Sequence, residues 1–225
     1  MKNAQRNLLT ICNVTFPCTN FNKQCYLRLC SLLVLLVSIF GMSHTHAAVS
    51  PIGLGIIPPV QFPTEDTKIT GARVSALWGN HRAVYGLDIG VIGNMTSLNF
   101  GGAAVAGVFN YNKGATTVLG LQAAGLANIN VNKASITGVQ VAGLFNSNKA
   151  VSSLLGFQLA LIANVSSFTQ VIGGQVGLYN TAREVYGLQI GLVNVTEVLH
   201  GLQIGLVNIN KMGLFRICPL INFGF

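Results

Sequence analysis

The sequence predicts an all-β protein built from ten short repeats. Three observations carry that prediction: a fixed repeat, a two-residue alternation inside each copy, and one polar turn per copy. The repeat is plainest near the C-terminal end, where Gly187 opens GLQIGLVN and Gly201 opens the same eight residues fourteen positions later. Looser copies open at Gly86, Gly120, Gly138, Gly156 and Gly173. Each unit ends in an asparagine, at Asn80, Asn94, Asn110, Asn128, Asn146, Asn164, Asn180, Asn194, Asn208 and Asn222, so the units are 14 to 18 residues long. Within a unit, Leu155, Phe157, Leu159, Leu161 and Ala163 share one parity, while Gly156, Gln158, Ala160, Ile162 and Asn164 share the other. Strand side chains alternate between two faces, so one face is apolar and the other is small and amide-bearing. A helix would mix the two sets, and each glycine would cost it about 1 kcal/mol.

Charged residues recur just after the asparagines. Lys113, Lys149, Arg183, Glu197 and Lys211 lie three positions past theirs, Arg82 two past and Lys133 five past. Between one such turn and the next run roughly ten residues, the length of a tilted membrane strand. A solenoid coil must bend at least twice, and only one strong turn signal is visible per unit. The favoured architecture is therefore an antiparallel outer-membrane-type β-barrel of about ten strands. Aromatic residues near strand ends (Tyr85, Phe109, Tyr111, Phe145, Tyr179, Tyr186) fit interfacial girdles. The last segment alternates Phe215, Ile217, Pro219, Ile221, Phe223 and Phe225 with Arg216, Cys218, Leu220, Asn222 and Gly224 and resembles a barrel's terminal strand, although Pro219 belongs at an edge or bulge. The alternative is a β-solenoid. Parallel stacking explains identical octets directly, and a corner absorbs the change in Gln-to-Asn spacing from six (Gln122, Gln140, Gln158) to five (Gln175, Gln189, Gln203).

Only 8% of the 225 residues are charged and 51% are hydrophobic. Residues 1–48 read as a signal peptide with a long basic n-region (Lys2, Arg6, Lys23, Arg28), an apolar run from Leu32 to Met42, and cleavage near Ala47 or Ala48. Removal would take Cys12, Cys18, Cys25 and Cys30 and leave Cys218 alone, which excludes a disulfide framework. Residues 49–66 carry four prolines and read as an extended tether; residues 67–225 form the repeat domain. The remaining basic excess is small and has no basic run, so no nucleic-acid partner is expected.

The GLQIGLVN units, the opening PPVQFP and the closing PLINFGF resemble a family of bacterial surface-repeat proteins. That resemblance covers about residues 51–225. It implies export to the outer membrane or cell surface, with outer-membrane lipid and the barrel-assembly machinery as partners beside some surface partner. It supplies no catalytic residue.

The residues themselves point away from an enzyme and from any cofactor or metal. His81 and His200 sit far apart, and the bland reading of each is a solvated turn residue. General acid–base chemistry needs paired groups with separated pKa values, and five scattered carboxylates offer none. Asp88 stands where other units carry glutamine. In a barrel it would face the lumen unpaired, and otherwise it is a substituted amide near a strand end. Gln122, Gln140, Gln158, Gln175, Gln189 and Gln203 would line a lumen or form a ladder along a solenoid, where buried amides satisfy one another. The function that follows is non-enzymatic: structural, adhesive or a weak channel, or else binding of a partner through a repeated amide-rich face.

Overall fold

The computed structural model describes residues 48–225. The signal-peptide reading, with its four cysteines, falls outside the described residues apart from Ala48. The described chain is all strand, with turns between. The strands are β1 (Val49–Ile57), β2 (Val60–Phe62), β3 (Lys68–Ser75), β4 (Trp78–Gly90), β5 (Gly93–Ala106), β6 (Phe109–Asn112), β7 (Ala115–Ala124) and β8 (Ala127–Asn130). They continue with β9 (Ala134–Ala142), β10 (Phe145–Asn148), β11 (Ser152–Ala160), β12 (Ala163–Val176), β13 (Tyr179–Ile190), β14 (Val193–Asn210) and β15 (Ile217–Gly224).

Their pairing makes a parallel β-solenoid, and the barrel expectation is corrected. From β3 to β14 every pairing is parallel and joins each unit to its counterparts one repeat away. Asn146 lies beside Asn128 and Asn164, Gln158 beside Gln140 and Gln175, and Gly156 beside Gly138 and Gly173. The strand order runs from β15 at one end to β2 at the other, with no pair joining the two ends into a closed barrel. Like-on-like stacking explains why the octets are so alike: each residue's neighbour is the same residue of the next coil.

The stretch between polar turns, expected to be one continuous strand, bends at two further places. One bend is a glycine within a strand. Gly86, Gly102, Gly120, Gly138, Gly156, Gly173, Gly187 and Gly201 have φ between 97° and 147°, a region L residues rarely adopt. At Gly156 a Cβ would also run into the carbonyl oxygen of Gly138 one coil below. The other is an apolar corner between the glutamine and the asparagine, such as Gly143–Leu144 or Leu161–Ile162. Its signal was hidden because the corner contains no proline, asparagine or charge. The change in Gln-to-Asn spacing is absorbed at this corner: the strand before it ends two residues past Gln140 and Gln158 but one past Gln175 and Gln189.

Both open edges are covered in part. β2 folds back antiparallel on β1, which itself stacks parallel on β3. Residues 49–66, read as a tether, are thus extended and paired into the sheet through β1 and β2. At the other end β15 folds back antiparallel on β14. The aromatic C-terminal segment is therefore a strand, but an end cap with Phe215, Ile221, Phe223 and Phe225 turned outward. Pro219 lies in this terminal strand, where a missing N–H is tolerated. Short antiparallel end strands blunt edges that would otherwise recruit further chains.

The interior has one apolar column, two residues before each glycine: Val84, Phe100, Val118, Ile136, Leu154, Val171, Val185 and Leu199, all buried. The rest of the interior is amide, hydroxyl and alanine, except in the first coils, where Ile69, Arg73, His81 and Asp88 are buried. The apolar parity faces outward.

Candidate functional site

The asparagine column closes the corner. Asn94, Asn110, Asn128, Asn146, Asn164, Asn180, Asn194 and Asn208 are each 2% exposed or less. Every Nδ2 but the last donates to the next asparagine's Oδ1 at 2.8–2.9 Å. The second N–H goes to a backbone carbonyl of the next coil just before its corner, such as Val141, Leu159 or Val176, at 2.7–2.8 Å. The side chain thereby satisfies the carbonyl that the bend removes from the sheet ladder. No apolar residue of that size can do so, which is why asparagine ends the units.

The glutamine column runs with opposite polarity. Gln140, Gln158, Gln175, Gln189 and Gln203 each donate Nε2 to Oε1 of the glutamine below, at 2.7–2.8 Å. Asn-column amides point toward the C-terminal end and Gln-column amides toward the N-terminal end, so the amide dipoles of the two columns oppose each other. The glutamines form the ladder, and they enclose no lumen. A shorter third column, Asn112, Asn130 and Asn148, links to it laterally through Gln122 and Gln140.

Two asparagines depart from the ten-unit count. Gly79, not Asn80, is in register with Asn94, and Asn80 instead bonds Glu65 at the N-terminal end of the described coils. Asn222 belongs to β15, where its Nδ2 donates to Gln203 Oε1 at 3.2 Å and caps the top of the glutamine ladder.

Asp88 is not a lumen carboxylate. It sits directly opposite Arg73 of the preceding coil, and the guanidinium holds both oxygens at 2.7 and 2.6 Å. The pair is 0% and 1% exposed. Burial pushes the carboxyl up, and Arg73 opposes that shift. Ala104 separates Asp88 from Gln122, so the pair ends the ladder without joining it. Sequence reasoning passed over Arg73. The available signal was its position fifteen residues before Asp88, one repeat length, on the inward parity.

His81, read as a solvated turn residue, is 1% exposed within β4. Its Nδ1 lies 3.3 Å from Arg73 Nη1 and its Nε2 3.1 Å from the Pro63 carbonyl. Burial and the neighbouring guanidinium lower its pKa to about 4, so the ring is neutral. His200 lies in β14 and stacks on Tyr186 with ring centroids 4.5 Å apart. Among the described residues, no group of three or more His, Cys, Asp or Glu is placed to hold a metal ion.

With the amides inside, what repeats outside is apolar. Two outer faces meet at the Gly–Leu corner. One carries Leu121, Val139 and Phe157, the other Phe109, Phe145, Val165 and Tyr179. Along the corner of the last coils runs a groove of about 690 Å³ lined by aliphatic side chains and glycine backbone, ending on Leu220 and Ile221 of β15. Leu161, Leu178 and Leu206 beside it are 72%, 50% and 60% exposed. The charged side chains Lys113, Lys133, Lys149, Arg183, Glu184 and Glu197 follow the asparagine strands, at the opposite edge. No helix among the described residues is long and apolar enough to cross a membrane. No protein-family model, curated protein or solved structure matched the sequence.

Proposed function

We propose that this chain is an exported, non-enzymatic β-solenoid of the bacterial outer membrane or cell surface that binds a partner through its repeated exterior. The observation that carries this reading is the sorting of side chains: apart from the one buried apolar column, the coils turn their repeated amides inward and their aliphatic and aromatic side chains outward. The surface offered for contact is therefore a repeated apolar one, and the amide-rich face is occupied in holding the coils together. The GLQIGLVN resemblance and the leader-like first 48 residues support export. The ionisable pair in the interior, Arg73 with Asp88, is sealed from substrate, which supports a binding rather than a catalytic role.

The test is fractionation of the cell envelope, with protease applied to intact cells. The expected result is recovery with the envelope, without boiling-dependent gel mobility, and cleavage of the chain from outside. Recovery from the cytoplasm, or protection from external protease together with release as a free soluble protein, would overturn the reading.

A further inference from the structure

We infer that the apolar corner is a wedge that inserts into one leaflet of an anionic lipid bilayer, with the basic edge opposite it lying at headgroup level. This rests on the reading of the exterior as the working surface and names what that surface meets.

Four observations converge on lipid. First, the two faces flanking the corner carry no charged side chain from Gly93 to Asn210, because all six charges in that range lie at the opposite edge. A protein partner of ordinary kind would meet a polar rim and hydrogen-bonding groups on such a surface. Second, the strands' hydrogen bonds run along the solenoid axis from coil to coil, so the faces present side chains and no unpaired backbone. That is the condition hydrocarbon imposes on any inserted structure. Third, the depth fits. From the corner at Gly143–Leu144 the chain runs through Phe145–Asn148 to Lys149, about 13–17 Å of extended backbone. Half of a hydrocarbon core of about 30 Å is ~15 Å.

The fourth observation is charge. No acidic residue occurs between Asp88 and Glu184, so the edge of the central coils carries Lys113, Lys133 and Lys149 alone. All three are exposed. Long basic side chains one leaflet-depth from an apolar ridge reach headgroup phosphates. The groove beside Leu178, Leu192 and Leu206 supplies an aliphatic channel for an acyl chain.

Flotation of the full exported chain, without detergent, on vesicles of phosphatidylcholine alone and of phosphatidylcholine with phosphatidylglycerol tests this. The expected result is binding to the mixed vesicles that exceeds binding to neutral ones by ten-fold or so. The triple change Leu178→Ser, Leu192→Ser and Leu206→Ser should abolish flotation on both while the β-sheet circular dichroism is kept. Lys113→Glu with Lys133→Glu and Lys149→Glu should lose the preference for phosphatidylglycerol and keep the weak binding to neutral vesicles. The inference is overturned if the wild-type chain floats with neither vesicle, or self-associates through the corner and so hides it. It is also overturned if the serine variant floats unchanged. Failure here with the chain still envelope-bound and reachable by protease leaves the surface reading standing with a protein partner. Recovery of the chain from the cytoplasm removes that reading instead.

Discussion

Replacing Asn146 by leucine removes its three short hydrogen bonds while keeping the number and branching of the side-chain heavy atoms. Asn146 donates to the Leu159 carbonyl at 2.8 Å and to Asn164 Oδ1 at 2.9 Å, and accepts from Asn128 at 2.9 Å. The Asn128 amide keeps its bond to the Val141 carbonyl. The Leu159 carbonyl and Asn164 Oδ1 lose the asparagine donor and stay buried. Each orphaned group costs about 1–3 kcal/mol, so the substitution should cost about 2–6 kcal/mol. At the end of the same column, Asn208 accepts from Asn194 and donates to the Gly205 carbonyl at 3.0 Å, with no further asparagine above it. Asn208→Leu orphans one carbonyl and should cost roughly half as much, about 1–3 kcal/mol. Urea unfolding followed by far-ultraviolet circular dichroism measures both. Equal losses, or a loss below ~1 kcal/mol at Asn146, would refute the ladder as the element that holds the coils.

Gly156→Ala and Gly120→Ala separate conformation from contact. Both positions have positive φ, but a Cβ at Gly156 meets the Gly138 carbonyl whereas one at Gly120 meets nothing within 4 Å. Gly120→Ala should cost about 1–2 kcal/mol, the strain alone. Gly156→Ala should cost clearly more, and similar midpoints in urea would contradict this. Acid should weaken the N-terminal end through His81. Its pKa falls from 6.5 to about 4 on folding, so its stabilisation is complete above pH 6.5 and is lost as pH falls toward 4. The loss amounts to roughly 3 kcal/mol. Unfolding midpoints at pH 7 and pH 4.5 should differ more in the wild type than in His81→Gln; equal differences would exclude His81 as the cause.

The alternation was legible because it is local: Gln158 and Leu159 must face opposite ways in any strand. So was the unit length, and with it the ladder lining by glutamine. What sequence alone left open was which unit lies beside which. Barrel and solenoid put the same residues inside, and they differ only in whether successive units reverse. The deciding features are quiet ones. Gly138 marks a bend within its strand only through its φ, and Gly143–Leu144 looks like ordinary strand interior. Counting bends by polar residues therefore found one in three. Asn222 shows the converse failure: it matches the repeat in type and spacing, yet sits on an antiparallel strand and caps the glutamines. His81 looked solvated because its partners, Arg73 and the Pro63 carbonyl, come from other parts of the chain. Only the stacking of coils brings them together.

Deleting Gly187–His200 distinguishes the two architectures most sharply, because it removes fourteen residues and joins Tyr186 to Gly201 at the start of an identical octet. In the solenoid, Gln203 then stacks on Gln175 and Asn208 on Asn180, and Leu199 is the only apolar-column residue lost. Every remaining residue keeps its type of neighbour. Repeat-protein stability is close to a sum of coil and nearest-neighbour terms, so the shortened chain should fold with a modestly lower urea midpoint. Deleting only Gly187–Val193 removes half as much chain, yet it joins Tyr186 to Asn194 and leaves that coil with no glycine, glutamine or corner. This smaller deletion should be the more damaging one. In an antiparallel barrel the order would invert, since loss of a whole unit reverses every later strand and leaves the closing pair running the wrong way. A fourteen-residue deletion that unfolds the protein while the seven-residue one is tolerated would therefore refute parallel stacking itself.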